Sequence, residues 1–201
     1  MSSSQYEVRL SGSGGQGLIL GGVILAEAAT IYDGKNAVQS QSYGPEARGG
    51  ASKSDVIISN EEIDYPKATS IDTLLSLTQE ACNKYINDLK NGGTLIIDSD
   101  MVKNIPAGDY KVIKLPIVDI AKRKVGKIIT ANIVALGALV EITKVVSKDA
   151  IEKAVLSRVP KAFLELNKSA LEAGFEAILT PCFAKLVSKS LRWFACTDLR
   201  P

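Results

Sequence analysis

No histidine occurs among the 201 residues. That removes the usual general base at neutral pH, the usual triad base and the commonest nitrogen ligand for metals. Cysteine is scarce: Cys82, Cys182 and Cys196 lie far apart and form no C-x-x-C pair. Neither a zinc site nor a four-cysteine iron–sulfur cluster can be assembled from this chain alone. A strong charge of either sign is also missing, since 24 basic and 22 acidic residues leave a net +2. Such a balance gives no field for binding a phosphate backbone and argues against nucleic acid as a partner. The sequence has no apolar run of about 18 residues or more, and no signal-peptide pattern at Met1 to Leu10, so no membrane span is expected. With few cysteines, the expected setting is a soluble, reducing compartment, by default the cytoplasm. What the chain does have is 46% apolar residues, enough for one domain with a proper core.

Two segments hold most of the information. SGSGGQG, Ser11 to Gly17, follows the alternating Tyr6, Val8 and Leu10 and opens into a long apolar stretch, so it sits where a strand turns into a helix. Backbone N–H groups converge on anions at such turns, and Gly12, Gly14, Gly15 and Gly17, with Gln16 among them, let a phosphate or another backbone approach. Gly12, Gly14 and Gly17 also satisfy the G-x-G-x-x-G spacing. A dinucleotide site would then need a carboxylate about 20 positions on, where the sequence reads Ala37-Val38-Gln39-Ser40-Gln41. Ordinary NAD binding is disfavoured, while tight packing and an anion or partner contact stay open. The second segment, QSQSYGPEARGG from Gln39 to Gly50, strings amide, hydroxyl, carboxylate and guanidinium groups between two strands. Gly44-Pro45 and Gly49-Gly50 bracket its charges with defined backbone geometry, which favours a functional surface made of Gln41, Ser42, Tyr43, Glu46, Arg48 and Gly49. A solvated loop holding a weak Glu46–Arg48 pair is the alternative. Asn132, alone in an apolar helix, reads more readily as a satisfied core amide than as a ligand contact.

Along the chain, Leu18 to Tyr32 is apolar on nearly every face and describes a helix buried between layers, with Gly21-Gly22 letting it press on a sheet. Asp33-Gly34 makes a turn, and Asn36 to Gln41 and Ser52 to Ser59 read as strands. Ile63 to Pro66 reads as an extended return that pairs with the latter in a hairpin, and hence as the reason for a mixed sheet. Thr73 to Leu77 is a buried strand, Thr78 an N-cap, and Gly92-Gly93 the mark of that helix's end. Leu95 to Asp98 and Tyr110 to Leu115 are strands, and Ile117 to Lys124 is a short helix. Ile128 to Thr143 is an interior helix. Ser147 caps a helix through Arg158, and Pro160 opens one running to about Ala173 before Gly174. This alternation predicts an α/β, three-layer, Rossmann-like domain with a mixed, largely parallel sheet. The domain is expected over residues 1–177, and 178–201 is a tail of uncertain origin, either a docking helix or sequence foreign to the domain.

SGSGGQG with QSQSYGPEARGG, then TQEA at Thr78 to Ala81, LKNGGTLIID at Leu89 to Asp98, TANIVALGAL at Thr130 to Leu139 and ELNKSALEAG further on, resembles the gamma subunit of 2-oxoacid:ferredoxin oxidoreductases. The loop wording is most similar to the 2-oxoglutarate members, with pyruvate and indolepyruvate enzymes as the alternatives. The resemblance implies a fold of the pyruvate-ferredoxin oxidoreductase domain III type. It also implies a subunit inactive alone that joins alpha and beta partners, and delta in four-component forms, with ferredoxin as electron acceptor. Coenzyme A would be co-substrate. Thiamine diphosphate, magnesium and the iron–sulfur clusters would lie on the partners, with no catalytic or metal-binding residue in this chain. The residues it leaves for cofactor or interface contact are those of the two loops and Asn132. A free-standing nucleotide-binding oxidoreductase and a non-enzymatic protein-binding module are the rival readings.

Overall fold

A computed structural model describes residues 5–42 and 50–179. Strands β1 (Gln5–Ser13), β2 (Asn36–Ser42), β3 (Ala51–Ser59), β4 (Ile71–Ser76), β5 (Leu89–Asp98) and β6 (Tyr110–Leu115) form one sheet in the order β2-β3-β1-β4-β5-β6. Only β3 runs against the rest: it pairs antiparallel with β1 and β2, while β1–β4, β4–β5 and β5–β6 are parallel. The mixed, largely parallel sheet is as expected, but its cause is different. Residues 63–66 form no strand. Both edges of β3 are already occupied, so no hydrogen-bonding partner is left for a hairpin return, and Pro66 has no N–H to offer.

Period-2 alternation splits the apolar residues between two faces. Val8, Leu10, Val56, Ile58, Leu75 and Ile96 turn to one face and are covered by α1 (Leu18–Glu27), α4 (Ala131–Thr143), α5 (Lys148–Arg158) and α6 (Leu164–Leu179), with the short α3 (Ile117–Ile120) beside them. Leu74, Leu95 and Ile97 turn to the other and meet Ala81, Cys82 and Tyr85 of α2 (Gln79–Tyr85). Each fully buried Leu or Ile contributes about 1.5–3 kcal/mol, so this three-layer arrangement carries the fold. The expected caps are present: Thr78 Oγ1 accepts from Ala81 N at 3.3 Å and Ser147 Oγ from Ala150 N at 3.1 Å. Ser147 is held in turn by Asp33, whose carboxylate accepts from its N and its Oγ, both at 2.7 Å.

Two glycine signals mean something other than helix ends. Gly92-Gly93 lies inside β5, where the pairing with β4 shifts between Ile71 and Thr73; α2 is only seven residues long. Gly92 takes φ +76° there and its N–H donates to Asp109 O at 2.7 Å. Gly174 is inside α6, which runs on to Leu179. A Cβ on it would collide with Val134 O and stand 3.0 Å from the Cα of Gly137, so α4 and α6 cross backbone to backbone. Gly22 plays the same part between α1 and β3, where a Cβ would collide with Ser54 Oγ; Gly21 has ordinary clearance. Thus the sheet contact expected of Gly21-Gly22 falls on Gly22.

The second face contains a buried ion cluster that no local pattern announces. Arg9 on β1 is 1% exposed and lies directly opposite Asp55 on β3. Its Nε and Nη2 donate to Asp55 Oδ1 and Oδ2 at 2.5 and 2.9 Å, and its Nη1 donates to Asp88. Lys53 Nζ also reaches Asp55 Oδ2 at 2.9 Å, and the guanidinium carbon is 5.3 Å from the Tyr85 ring centroid. Burial by itself would lower the Arg9 pKa, but hydrogen bonds and charge from Asp55, then Asp88, raise it above its ordinary value. Elsewhere, Glu141 on α4 is nearly buried between Lys144 at 2.8 Å and Lys148 at 2.5 Å. Burial pushes its carboxyl up, and the two ammonium groups outweigh that and hold it below 4.5.

Arg9→Leu strands the Asp55 carboxylate with only Lys53 and is expected to cost about 3–5 kcal/mol in urea unfolding. Arg9→Leu with Asp55→Leu is expected to recover much of that loss. A single-variant loss below about 1 kcal/mol would show that Lys53 alone satisfies Asp55. Glu141→Gln tests the other pair by its pH dependence. Because the folded carboxyl titrates below its unfolded value, its contribution is complete above pH 4.5 and is lost as pH falls through the folded pKa. The variant is therefore expected to be less stable than wild type at pH 7, by about 1 kcal/mol, and to converge with it in acid. A constant difference across that range would overturn the assignment.

Candidate functional site

The carboxyl ends of the parallel strands lie along one edge of the sheet, the place where open α/β sheets bind ligands. Both sequence motifs arrive there. The glycine segment leaves β1 at Gly12 and Ser13 and enters α1 at Gly17; the polar segment leaves β2 at Gln41 and Ser42 and returns into β3 at Ala51. They are joined: Gly14 N donates to Gly50 O at 3.3 Å, and Ser52 Oγ donates to Gly12 O at 3.2 Å. From the second face α2 clamps the same point. Glu80 Oε1 accepts from Ala51 N at 3.3 Å and Tyr85 Oη donates to Ala51 O at 3.1 Å. Glu80 and Tyr85 were missed as site residues, since nothing local ties a helix to a loop some thirty residues before it. Tyr43, Glu46, Arg48 and Gly49 lie outside the described residues, as do Cys182 and Cys196 and the tail from 180.

Within the glycine loop, packing and turn geometry account for much of the composition. Gln16 folds back so that its Oε1 accepts from Ser13 N at 2.8 Å, while its own N donates to Ser13 O at 3.3 Å. A Cβ on Gly12 would collide with that amide and stand 2.6 Å from Leu18 Cδ1. Gly15 and Gly17 take φ +91° and +73°, the left-handed region that favours glycine. The N–H groups of Ser13, Gly14 and Gln16 are thus directed at protein acceptors. Gly15 and Gly17 are left as the loop amides that can face a ligand, a narrower donor set than the sequence implied.

Asn132 is 7% exposed and its Nδ2 donates to Gly17 O at 3.2 Å, the satisfied amide that the sequence favoured. It is also the joint between the first turn of α4 and the loop. The dinucleotide reading fails on topology as well as composition. β3 stands between β1 and β2, so the end of β2 is two strand spacings, about 9–10 Å, from β1, and a ribose-binding acid there could not serve a cofactor seated on the loop.

Beside the loop a groove of about 640 Å³ opens between Gly15–Gly17, the turn Lys127–Thr130 and the segment from Val159 to Phe163. Its walls are mostly apolar. Among the described residues no group of three or more His, Cys, Asp or Glu is placed to hold a metal ion. Burial pushes the Cys82 thiol up, so it is no thiolate nucleophile at neutral pH. No helix among the described residues is long and apolar enough to cross a membrane. Ser52, Glu80 and Tyr85 thus anchor a surface at the sheet edge.

The chain as a whole resembles known proteins. The profile of the pyruvate ferredoxin/flavodoxin oxidoreductase family matches residues 7–177. The chain is 52% identical over 172 residues to the 2-oxoglutarate synthase subunit KorC of Methanocaldococcus jannaschii, covering 85% of this chain and 92% of that one. Among solved structures, the keto/oxoacid ferredoxin oxidoreductase gamma subunit of Geobacter sulfurreducens shares 62% identity with a TM-score of 0.82, over 88% of this chain and 98% of that one. The pyruvate oxidoreductase subunit PORC of Thermotoga maritima shares the fold at TM-score 0.73 and 26% identity, over 87% of this chain and 97% of that one.

The loop geometry separates two glycines with the same backbone requirement. A Cβ on Gly17 would stand 2.6 Å from Asn132 Nδ2, whereas a Cβ on Gly15 would meet nothing within 4 Å. Gly15→Ala is expected to cost about 1–2 kcal/mol for its φ alone. Gly17→Ala should cost measurably more in the same chemical unfolding experiment, and Asn132→Ala added to it should return the excess. Equal costs for the two glycine variants would show that Asn132 is not packed on the loop.

Proposed function

The chain belongs to the pyruvate ferredoxin/flavodoxin oxidoreductase family, and on that premise we propose that it is the gamma subunit of a 2-oxoglutarate:ferredoxin oxidoreductase. The complex would convert 2-oxoglutarate, coenzyme A and oxidised ferredoxin to succinyl-CoA, CO2 and reduced ferredoxin. The observation that carries the choice of oxoacid is the near full-length match to a 2-oxoglutarate synthase subunit, against the weaker match to the pyruvate subunit. The unit with this role is residues 1–177, to which 178–201 are appended; the extent of the family match supports that boundary.

In this reading the chain supplies shape and charge at the edge of an active site that other subunits furnish. Among the described residues no group of three or more His, Cys, Asp or Glu is placed to hold a metal ion, which supports a division of labour in which decarboxylation and electron transfer fall to the alpha and beta companions. The joined loops are its contribution. Glycine amides at 15 and 17, together with Arg48 from the polar segment, suit an anionic group of coenzyme A or of the oxoacid. Gln41 and Ser42 stand at the exposed end of β2, where that segment begins, and complete a surface that recognises without reacting. The lack of histidine and of a cysteine quartet is no handicap to such a subunit.

The purified complex carrying Arg48→Ala tests the contact. The apparent KM for coenzyme A or for 2-oxoglutarate is expected to rise about tenfold, the size of one charge-assisted hydrogen bond, with a smaller change in kcat. Unchanged values for both substrates would remove Arg48 from the site. Turnover of a 2-oxoacid by the isolated chain would overturn the subunit reading altogether.

A further inference from the structure

Nine large apolar side chains are exposed among the described residues, and four of them line the groove: Leu20 at 42%, Ile128 at 55%, Ile129 at 82% and Phe163 at 52%. Scattered exposed apolar residues are ordinary; a cluster around a concavity marks a contact surface. The polar side chains of the floor are already engaged, Asn132 with Gly17 O and Asn167 with Phe163 O at 2.8 Å. Away from the amides of Gly15 and Gly17 at its loop end, a polar ligand would find few directed partners, whereas apolar side chains would bury the rim. One cation, Lys127, is in its wall, and the exposed Lys161 follows Pro160 of the opposite wall in sequence; neither has an ion-pair partner among the described residues.

We propose that this groove seats an amphipathic segment of a companion subunit, with apolar side chains entering between Ile129 and Phe163 and carboxylates facing Lys127 and Lys161. The inference rests on the reading of the chain as a gamma subunit and says where that subunit docks. Charge selects this occupant over two others. Residues 180–201 hold Lys185, Lys189, Arg192 and Arg200 against the single acid Asp198, so the chain's own tail would bring like charge to the rim. A second copy joined about a two-fold axis at the groove would set the lysines of the two copies against each other.

The test uses the complex co-expressed from this chain and its companions, with the fraction of this chain that travels with a tagged companion as the readout. Ile129→Asp is expected to weaken reconstitution at least tenfold. Lys127→Glu should weaken it less and abolish its salt dependence, and Tyr65→Asp, exposed elsewhere, should leave it unchanged. Thermal unfolding of the isolated Ile129→Asp chain, expected at the wild-type temperature, separates docking from folding. Amide exchange should be slowed at residues 127–133 and 159–167 in the complex. Normal assembly of Ile129→Asp overturns the proposal. So does a dimer of the isolated chain that this variant dissociates, or slowed exchange in the free chain that truncation after Leu179 releases. A wild-type chain that joins no 2-oxoacid oxidoreductase companion overturns the functional reading itself, an outcome distinct from failure of the groove variant alone.

Discussion

The pairing of β1 with β3 is the constraint on which the rest of the molecule depends. A bidentate Arg9–Asp55 bridge lies directly across it, and the nine-residue register runs from Gln5↔Ser59 to Ser13↔Ala51. A slip of β1 by one residue would turn Arg9 toward the apolar face that Val56 and Ile58 occupy and leave Asp55 behind on the other. Two separated buried charges would cost several kcal/mol each. The bridge is thus better understood as a determinant of register than as a source of net stability. By fixing that register it also fixes where Gly14 meets Gly50, and with it the joint between the two loops.

The same strand decides what the sheet edge can do. Inserted between β1 and β2, β3 separates the glycine loop from the strand end that completes a dinucleotide site, and it brings Gly50 and Ser52 against the loop instead. A composition that superficially matches a nucleotide fingerprint is thereby turned to another purpose. Gly17 gives its carbonyl to Asn132, and Gln16 spends its side chain inside the loop. What faces outward is a few amides, Gln41 and Ser42 at the end of β2, and an apolar groove.

Much of this was legible in residues whose meaning is local. The caps at Thr78 and Ser147, the strand-to-helix position of SGSGGQG and the six strands all follow from neighbours in sequence, whereas the expected burial of Leu18 to Tyr32 on nearly every face holds only for the side of α1 against the core, with Leu20, Ile31 and Tyr32 exposed. The failures share a different cause. Gly92-Gly93 and Gly174 look like helix ends because glycine usually is one, yet the first accommodates a register shift against β4 and the second a backbone crossing with Gly137, both set by partners distant in the chain. Arg9, Asp55 and Asp88 are three isolated charges separated by 46 and 79 positions, and no periodicity connects them. Ile128 and Ile129 look like the start of a buried helix because apolar character alone does not distinguish a core from a docking surface.

The turn that presents Ile128 and Ile129 argues that this exposure is held in place and does not fray. Lys127 N donates to Ala121 O at 3.1 Å, and Lys127 O accepts from both the N and the Oγ1 of Thr130, at 3.1 and 2.8 Å. Gly126 takes φ +84° to admit the turn, and Asn132 pins the following helix to the glycine loop. A fixed rim loses little conformational freedom on association, and such ordering otherwise costs about 0.5–1.5 kcal/mol per immobilised side chain. Gly15 to Gly17 themselves line the groove, and Asn132 ties them to α4. Whatever sits in the groove therefore rests on the loop directly, and docking bears on the shape of the sheet edge.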